Sequence, residues 1–131
     1  MDVFRISAIT LKVKELEKTS QFYSRIPGFK KVYGDAQNET FVTFEVGEGD
    51  KKGHLNLELA NEMPEGAGTK DFGRIIFHTD NVDRLYLYMK DDEYISKFAI
   101  FESEPSDAPW GERFFHIREP GGYQLSFAQP L

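Results

Sequence analysis

The chain has 131 residues, 40% of them hydrophobic, which is enough for one domain with a packed core. Its net charge of −6 argues against nucleic-acid and anionic-membrane partners, because those partners bind clustered basic side chains. The absence of cysteine excludes disulfides, thiolate catalysis and cysteine-ligated zinc. No segment has the pattern of a signal peptide or a membrane span, so we expect a soluble, cytoplasmic protein.

The first half of the sequence predicts a strand, a helix and three more strands. Apolar and polar residues alternate from about 5 to 13, which predicts the first strand. Apolar residues then recur at helical spacing from about 15 to 25, and Pro27-Gly28 predicts the end of that helix. The later strands are predicted at about 29–33, 40–46 and 54–60.

The second half of the sequence repeats this order after a polar linker. The linker is predicted at 61–72, where Pro64, Gly66 and Gly68 disfavour regular structure. A strand at about 74–79 follows, and then a helix at about 81–91 with Asp80 as its N-cap. Three last strands are predicted at about 98–102, 112–118 and 123–128.

The two halves share the pattern β-α-β-β-β, and their residues match at a constant offset. The matched pairs include Ile9 with Ile75, Leu11 with Phe77 and Phe22 with Tyr88. A repeat of this length predicts a single α+β domain of two tandem βαβββ modules, at about 5–60 and 73–128. Neither module could cover its sheet alone, so we expect a curved sheet around a shared cleft that binds a small molecule.

Three motifs, in this order, resemble the vicinal oxygen chelate superfamily, which includes glyoxalase I, bleomycin-resistance and extradiol-dioxygenase proteins. The motifs are LEKTSQFYSRIPGF at 16–29, FGRIIFHTDNVD at 72–83 and PWGERFFHIREPGGYQLSF at 109–127. The resemblance implies a paired βαβββ fold around a U-shaped cavity, commonly in a homodimer.

In the metal-using members of that superfamily, inward side chains on the first and last strands of each module hold a divalent cation. The resemblance places these positions at Ala8, Glu58, Arg74 and Ser126. Ala8 has no donor atom, Arg74 is always cationic and Ser126 is a weak neutral ligand, which leaves Glu58. A catalytic metal site needs about three imidazole or carboxylate ligands. The resemblance is therefore nearer to the metal-free, bleomycin-resistance-like members, and it implies neither a metal nor another cofactor.

Glu58 and Arg74 are predicted to form an ion pair where the relatives hold their metal. In one interpretation, the pair only fills the space of the lost metal. In the other, Arg74 also presents its remaining N–H groups to an anionic or carbonyl-bearing ligand. Strand alternation adds Asn56 to the face of Glu58, and His78 to the face of Arg74.

The histidines and the single tryptophan each have two interpretations. His54 and His78 are either ordinary polar residues or displaced metal ligands. His116 is either a hydrogen-bonded strand residue or a catalytic base. Trp110 either stacks on a planar ligand at the cavity rim or anchors its loop by packing.

The leading interpretation is a non-enzymatic protein of the glyoxalase/bleomycin-resistance type that binds a small organic molecule and forms a homodimer. Its cleft residues would be Glu58, Arg74, His78, Asn56, Ser126 and Trp110, with no catalytic residue among them. The alternative is a metal-dependent lyase, isomerase or dioxygenase of the same superfamily, whose rearranged site joins Glu58 to His54, His78 or His116. A third alternative is an interaction domain whose own aromatic side chains fill its cavity.

Overall fold

The computed structural model describes residues 1–60 and 73–131, and it confirms the α+β fold predicted from the sequence. The described strands form two separate sheets, one of four strands and one of five. The chain divides into two compact units, Met1–Met63 and Pro64–Leu131. The linker predicted at 61–72 lies outside the described residues. No helix in the described ranges has the length and apolar character needed to cross a membrane.

The described part of the first unit has one α-helix, a short 3-10 helix at Gly49–Lys51 and four strands: β1 Ala8–Val13, α1 Leu16–Ser24, β2 Phe29–Tyr33, β3 Phe41–Val46 and β4 Gly53–Leu59. The sheet order is β1-β4-β3-β2, with β1 parallel to β4 and the other neighbours antiparallel. Alternate strand residues such as Leu11 and Leu57 are buried, as are Phe22 and Tyr23 of α1. The other face of β4 carries polar side chains such as Asn56, because successive residues of a strand point to opposite faces.

The described part of the second unit, residues 73–131, has two helices and five strands: β5 Arg74–His78, α2 Val82–Asp91, α3 Glu93–Phe98, β6 Ile100–Phe101, β7 Ser106–Ala108, β8 Glu112–Arg118 and β9 Gln124–Pro130. Strand β9 lies between β5, to which it is parallel, and β8, to which it is antiparallel. The short strands β6 and β7 both pair with β8. The core of this unit combines buried residues of the sheet and of α2: Phe115, Ile117, Leu125, Phe127, Val82, Leu85 and Met89.

The structure adds α3 and β7 to the predicted elements and shortens the strand predicted at 98–102 to two residues. The side chain of Asp92 caps α3, since its Oδ1 accepts hydrogen bonds from the backbone N–H groups of Tyr94 at 3.0 Å and Ile95 at 2.9 Å. The rings of Tyr94 and Phe98 also pack one helical turn apart, at 4.7 Å. These local contacts hold Phe98 in the helix, although its apolar side chain and position suggested a strand.

The helix α2 is capped by Asn81, and the prediction of Asp80 as its N-cap was wrong by one residue. The side-chain oxygen of Asn81 accepts a hydrogen bond from the backbone N–H of Arg84 at 3.0 Å. The backbone of Asn81 is extended, with φ −151° and ψ 94°, as an N-cap residue requires.

Replacing Asn81 with alanine is expected to lower the free energy of unfolding by about 1 kcal/mol, because a backbone N–H at the helix start loses its acceptor. Asp80→Ala is the matched control, and we expect it to change the stability by less than about 0.5 kcal/mol. Urea unfolding of the two variants measures the difference. Equal losses in both would contradict the assignment of the cap to Asn81.

Candidate functional site

The face of the second sheet that carries Arg74, Ser126 and Ala128 forms a groove, called here the second-unit groove. Ser126 and Ala128 of the central strand β9 are its floor, and both are almost fully buried. Their neighbours in register on β5 and β8 are larger: Ile76, His78, Phe114 and His116. Small side chains on the central strand between larger ones on both sides leave the groove open along the sheet.

Part of the second-unit groove is a partly open pocket with a volume of about 50 Å³. Its lining includes Arg74, Ile76, Trp110, Phe114, His116 and Ser126. One water molecule occupies about 30 Å³ in the liquid, so the pocket admits a group the size of a carboxylate. The rest of a larger ligand would lie along the open face.

Arg74 lies in the groove and is held by a chain of polar side chains. Its Nε donates to Oε1 of Gln124 at 3.0 Å, and Nε2 of Gln124 donates to Oε1 of Glu102 at 2.9 Å. Glu102 also accepts from Nε of Arg118 at 3.3 Å. Because Gln124 uses both ends of its amide, its orientation is fixed and Arg74 is held at Nε. The N–H groups on the two terminal nitrogens of Arg74 take no part in this bond.

His116 lies beside Arg74 in the lining of the same pocket. Its ring lies 4.8 Å from that of Phe114, and its backbone N–H donates to Oγ of Ser103 at 2.9 Å. The ring Nδ1 is buried and has no hydrogen-bond partner within the described part of the chain. Burial first, and then the charge of Arg74, lower the pKa of His116, against an opposing effect of Glu102. The imidazole is therefore neutral at pH 7.

Trp110 both anchors its loop and exposes indole surface at the edge of the groove. Its ring stacks on Phe114 with 6.0 Å between centroids and 23° between planes. Its Nε1 donates to Oε1 of Glu112 at 3.0 Å. The side chain is nevertheless 69% exposed, which leaves one ring face for a planar ligand.

Glu112 joins Trp110 to His78, the last residue of β5. Its Oε2 lies 2.6 Å from Nε2 of His78. The hydrogen bond with His78, followed by the one from Trp110, lowers the pKa of Glu112. Sequence reasoning missed Glu112, although it alternates with Phe114 and His116 in β8, and this spacing alone indicates the same face.

The ionisation of Glu112 can be followed through Trp110, the single tryptophan, whose indole N–H donates to its carboxylate. We expect the indole N–H signal to titrate below the ordinary glutamate pKa of about 4.3, because the ionised form accepts both bonds. The stabilisation from these bonds is present above the unfolded pKa and is lost as the pH falls through the lower folded value. His78→Gln should raise the midpoint. A wild-type midpoint at or above the ordinary value would contradict this assignment.

Asn56 and Glu58 share one face of β4 in the first unit, as the alternation predicted. Oδ1 of Asn56 accepts from Oγ1 of Thr43 at 2.7 Å, and Nδ2 of Asn56 donates to Oγ1 of Thr10 at 3.2 Å. This row fixes the Asn56 amide across three strands. The predicted ion pair between Glu58 and Arg74 would involve both units, and it stays a prediction. A binding site formed by residues of both units also stays a prediction.

The first unit also has a larger, open pocket beside α1, with a volume of about 210 Å³. Polar groups that line it bond one another: Nε2 of Gln37 donates to Oε1 of Glu17 at 3.1 Å, and the backbone N–H of Gln37 donates to Oδ1 of Asp35 at 3.0 Å. None of the predicted site residues lines it. The second-unit groove is therefore the stronger candidate for a functional site.

Three of the four positions that the resemblance gives for the relatives' metal ligands carry side chains that do not suit a divalent cation. Arg74 brings a fixed positive charge, held in place by Gln124, and Ser126 offers a neutral hydroxyl. Ala8, in the first unit, has no donor. Among residues 1–60 and 73–131, no group of three or more histidine, aspartate and glutamate side chains could hold a metal ion. Glu58 is the one carboxylate at these four positions, whereas a catalytic metal site uses about three imidazole or carboxylate ligands.

The sheets define the class of protein: an α+β chain of two units, each with its first strand parallel to the strand that ends the unit. Residues 5–127 match the Glyoxalase/Bleomycin resistance protein/Dioxygenase superfamily, and the chain belongs to this superfamily. A comparison with curated proteins gives no match.

Solved structures of other proteins have the same fold. A glyoxalase/bleomycin resistance protein/dioxygenase from Nocardioides is 20% identical with a TM-score of 0.68, over 100% of this chain and 86% of its own. The fosfomycin resistance protein FosX from Listeria monocytogenes is 15% identical with a TM-score of 0.73, and the match covers 99% of this chain and 96% of FosX. TioX from Micromonospora sp. ML1 is 16% identical with a TM-score of 0.71, and the match covers 98% of this chain and 100% of TioX. At these identities the likeness shows the fold alone.

Proposed function

We propose that this protein binds a small organic anion with a planar apolar part, without a metal and without converting it chemically. The observation that carries the proposal is Arg74, a cation in the groove at a position where metal-using relatives place a ligand. Its bond to Gln124 uses Nε, so the N–H groups of the terminal nitrogens remain available to an anion. A guanidinium binds a carboxylate through two parallel hydrogen bonds, which makes a carboxylate the best match.

The aromatic residues beside Arg74 support a planar ligand. Trp110 and Phe114 stack on each other and line the same pocket as Arg74. Ile76 adds apolar surface and is 56% exposed. These side chains leave a pocket of about 50 Å³ between them, which is room for a small group of a ligand. An aromatic carboxylate is thus the ligand class that the groove favours.

Sequestration is favoured over catalysis by the chemistry of the side chains that face the pocket. The positions of Arg74 and Ser126 offer no imidazole or carboxylate to a metal. Within the described residues, Nδ1 of His116 has no hydrogen-bond partner that would orient the ring as a base. The side chains that face the pocket support the interpretation that this protein is more similar to the metal-free, bleomycin-resistance-like members of the superfamily than to the metal-using members. A homodimer and a cytoplasmic location stay predictions from the sequence.

One observation favours the alternative of a rearranged metal site. Nε2 of His78 and Oε2 of Glu112 lie 2.6 Å apart, and both groups are metal ligands in other proteins. However, Trp110 already occupies the other oxygen of Glu112. Two ligands are also fewer than catalytic sites use. We therefore keep this function as the second candidate.

The single tryptophan provides the test of the proposed function. Benzoate and 1-naphthoate are titrated into EDTA-treated protein, and the fluorescence of Trp110 is recorded, with benzamide and 1-naphthamide as neutral controls of the same shape. We expect a saturable change with the carboxylates and at least about tenfold weaker binding of the amides, since a charged partner of arginine is lost. The absence of a saturable response, or equal affinities for acid and amide, would overturn the proposal.

A further inference from the structure

We infer that His116 is a second ligand-binding group of the groove, which donates an Nε2–H hydrogen bond to the same carboxylate that Arg74 binds. The inference rests on the proposed function and deepens it, because it specifies a monoanionic carboxylate as the ligand group. In this arrangement the cationic Arg74 binds both carboxylate oxygens, and one of these oxygens also accepts a hydrogen bond from the neutral His116.

The tautomer follows from the surroundings of the His116 ring. Within the described residues, Nδ1 is enclosed and finds no hydrogen-bond partner. A hydrogen on Nδ1 would be a buried donor without an acceptor, and in an imidazolium it would also carry charge. The neutral ring with its hydrogen on Nε2 avoids both costs. Since Nδ1 is enclosed, Nε2 is the nitrogen that a molecule in the pocket can reach.

His116 has defined neighbours at its backbone and at its ring. Its backbone N–H bonds to Ser103, its ring lies against Phe114, and its neighbour in register on the groove floor is Ser126. Arg74 is close enough for its charge to act on His116, and both line the pocket. Arg74 is itself held through Gln124. Two donors are thus pre-positioned before any ligand arrives.

The charges around the pair set the ligand charge. Arg118, the other arginine of this chain of polar groups, already binds Glu102. Glu112 also lines the pocket and is held ionised by His78 and Trp110. Among the described residues that line the pocket, Arg74 is the one arginine or lysine, and together with the neutral His116 and the carboxylate of Glu112 it matches a ligand group of charge −1. A phosphate dianion would bring one charge too many.

The test combines the tautomer with binding. In protein labelled with ¹⁵N-histidine, the long-range ¹H–¹⁵N spectrum at neutral pH should show His116 neutral with its hydrogen on Nε2, and added benzoate should shift Nε2 saturably. His116→Phe keeps an aromatic ring but removes the N–H donor. It should weaken benzoate binding about five- to tenfold, the usual effect of losing one hydrogen bond. His116→Gln keeps an N–H donor and should recover part of the loss. His54→Phe, in the first unit, is the control.

A second comparison tests the ligand charge. Phenyl phosphate loses its second proton near pH 6, so at neutral pH it is mainly a dianion, and it should bind more weakly than benzoate. His116 found as the Nδ1–H tautomer, or charged at neutral pH, would overturn the inference. So would full benzoate affinity in a folded His116→Phe protein. In both cases Arg74-dependent binding of benzoate would leave the proposed function standing, whereas a failure of all carboxylates to bind would remove both.

Discussion

Arg74→Gln is expected to weaken the binding of benzoate by at least tenfold and to leave the fold intact. A hydrogen bond to a charged group contributes about 1.5 to 3 kcal/mol, and each 1.4 kcal/mol is a factor of ten in affinity. The stability should change little, because Arg74 is exposed at the start of the edge strand β5. Fluorescence titration of Trp110 measures the affinity, and urea unfolding measures the stability.

The control for Arg74→Gln is Arg84→Gln, which removes the same charge from the exposed surface of α2 in the same unit. We expect Arg84→Gln to bind benzoate as the wild type does. If both variants lose the same affinity, the arginines act through net charge alone, and Arg74 has no direct contact with the ligand. A wild-type affinity in Arg74→Gln would remove the residue from the site altogether.

Phe115→Ala and Phe114→Ala are expected to have opposite consequences, although the two residues are adjacent in β8. Phe115 is fully buried, with its ring 5.2 Å from Tyr86 and 5.4 Å from Phe127. Its truncation should lower the free energy of unfolding by about 3 to 5 kcal/mol, through lost apolar burial and the cavity left behind. Phe114 lies on the groove face and is half-buried, so its truncation should cost less than about 1.5 kcal/mol.

The effects of the two substitutions on ligand affinity should have the opposite order to their effects on stability. Phe114→Ala removes the ring on which Trp110 stacks and should weaken binding of 1-naphthoate about three- to tenfold. Phe115→Ala should bind normally at temperatures where it is folded. Urea unfolding and fluorescence titration of both variants give the comparison. Equal destabilisation of the two would mean that the groove face is part of the core.

The face of each strand could be predicted from the sequence, because side chains alternate with a period of two. The alternation placed Arg74 with His78 on β5, and Ser126 with Gln124 and Ala128 on β9. The structure has these residues on one face, around the pocket or at its edge. The resemblance added which of these positions bind metal in relatives, and the residue types at these positions indicated that this chain differs.

The partners of the site residues could not be predicted, because they depend on register and on short elements. Gln124 lies opposite Arg74 only in the parallel register of β5 with β9. Glu102 reaches Gln124 from the residue after the two-residue strand β6, which follows a helix that the sequence pattern did not indicate. The buried Nδ1 of His116 likewise depends on how neighbouring strands pack. Alternation gives a face, but it does not give the neighbours across a sheet.

A thermal melt of EDTA-treated protein tests the central claim most directly, with Zn²⁺, Ni²⁺, Mn²⁺, Co²⁺ or Fe²⁺ added in turn and with 1-naphthoate added alone. A ligand that binds the native state stabilises it by mass action, by about 2.7 kcal/mol at a ligand concentration of a hundred times its Kd. This added stability raises the midpoint temperature of unfolding. We expect a rise with 1-naphthoate that Arg74→Gln abolishes, and no rise with any metal. A saturable rise with a metal that Glu58→Gln abolishes, without one for 1-naphthoate, would show that the site is a rearranged metal centre.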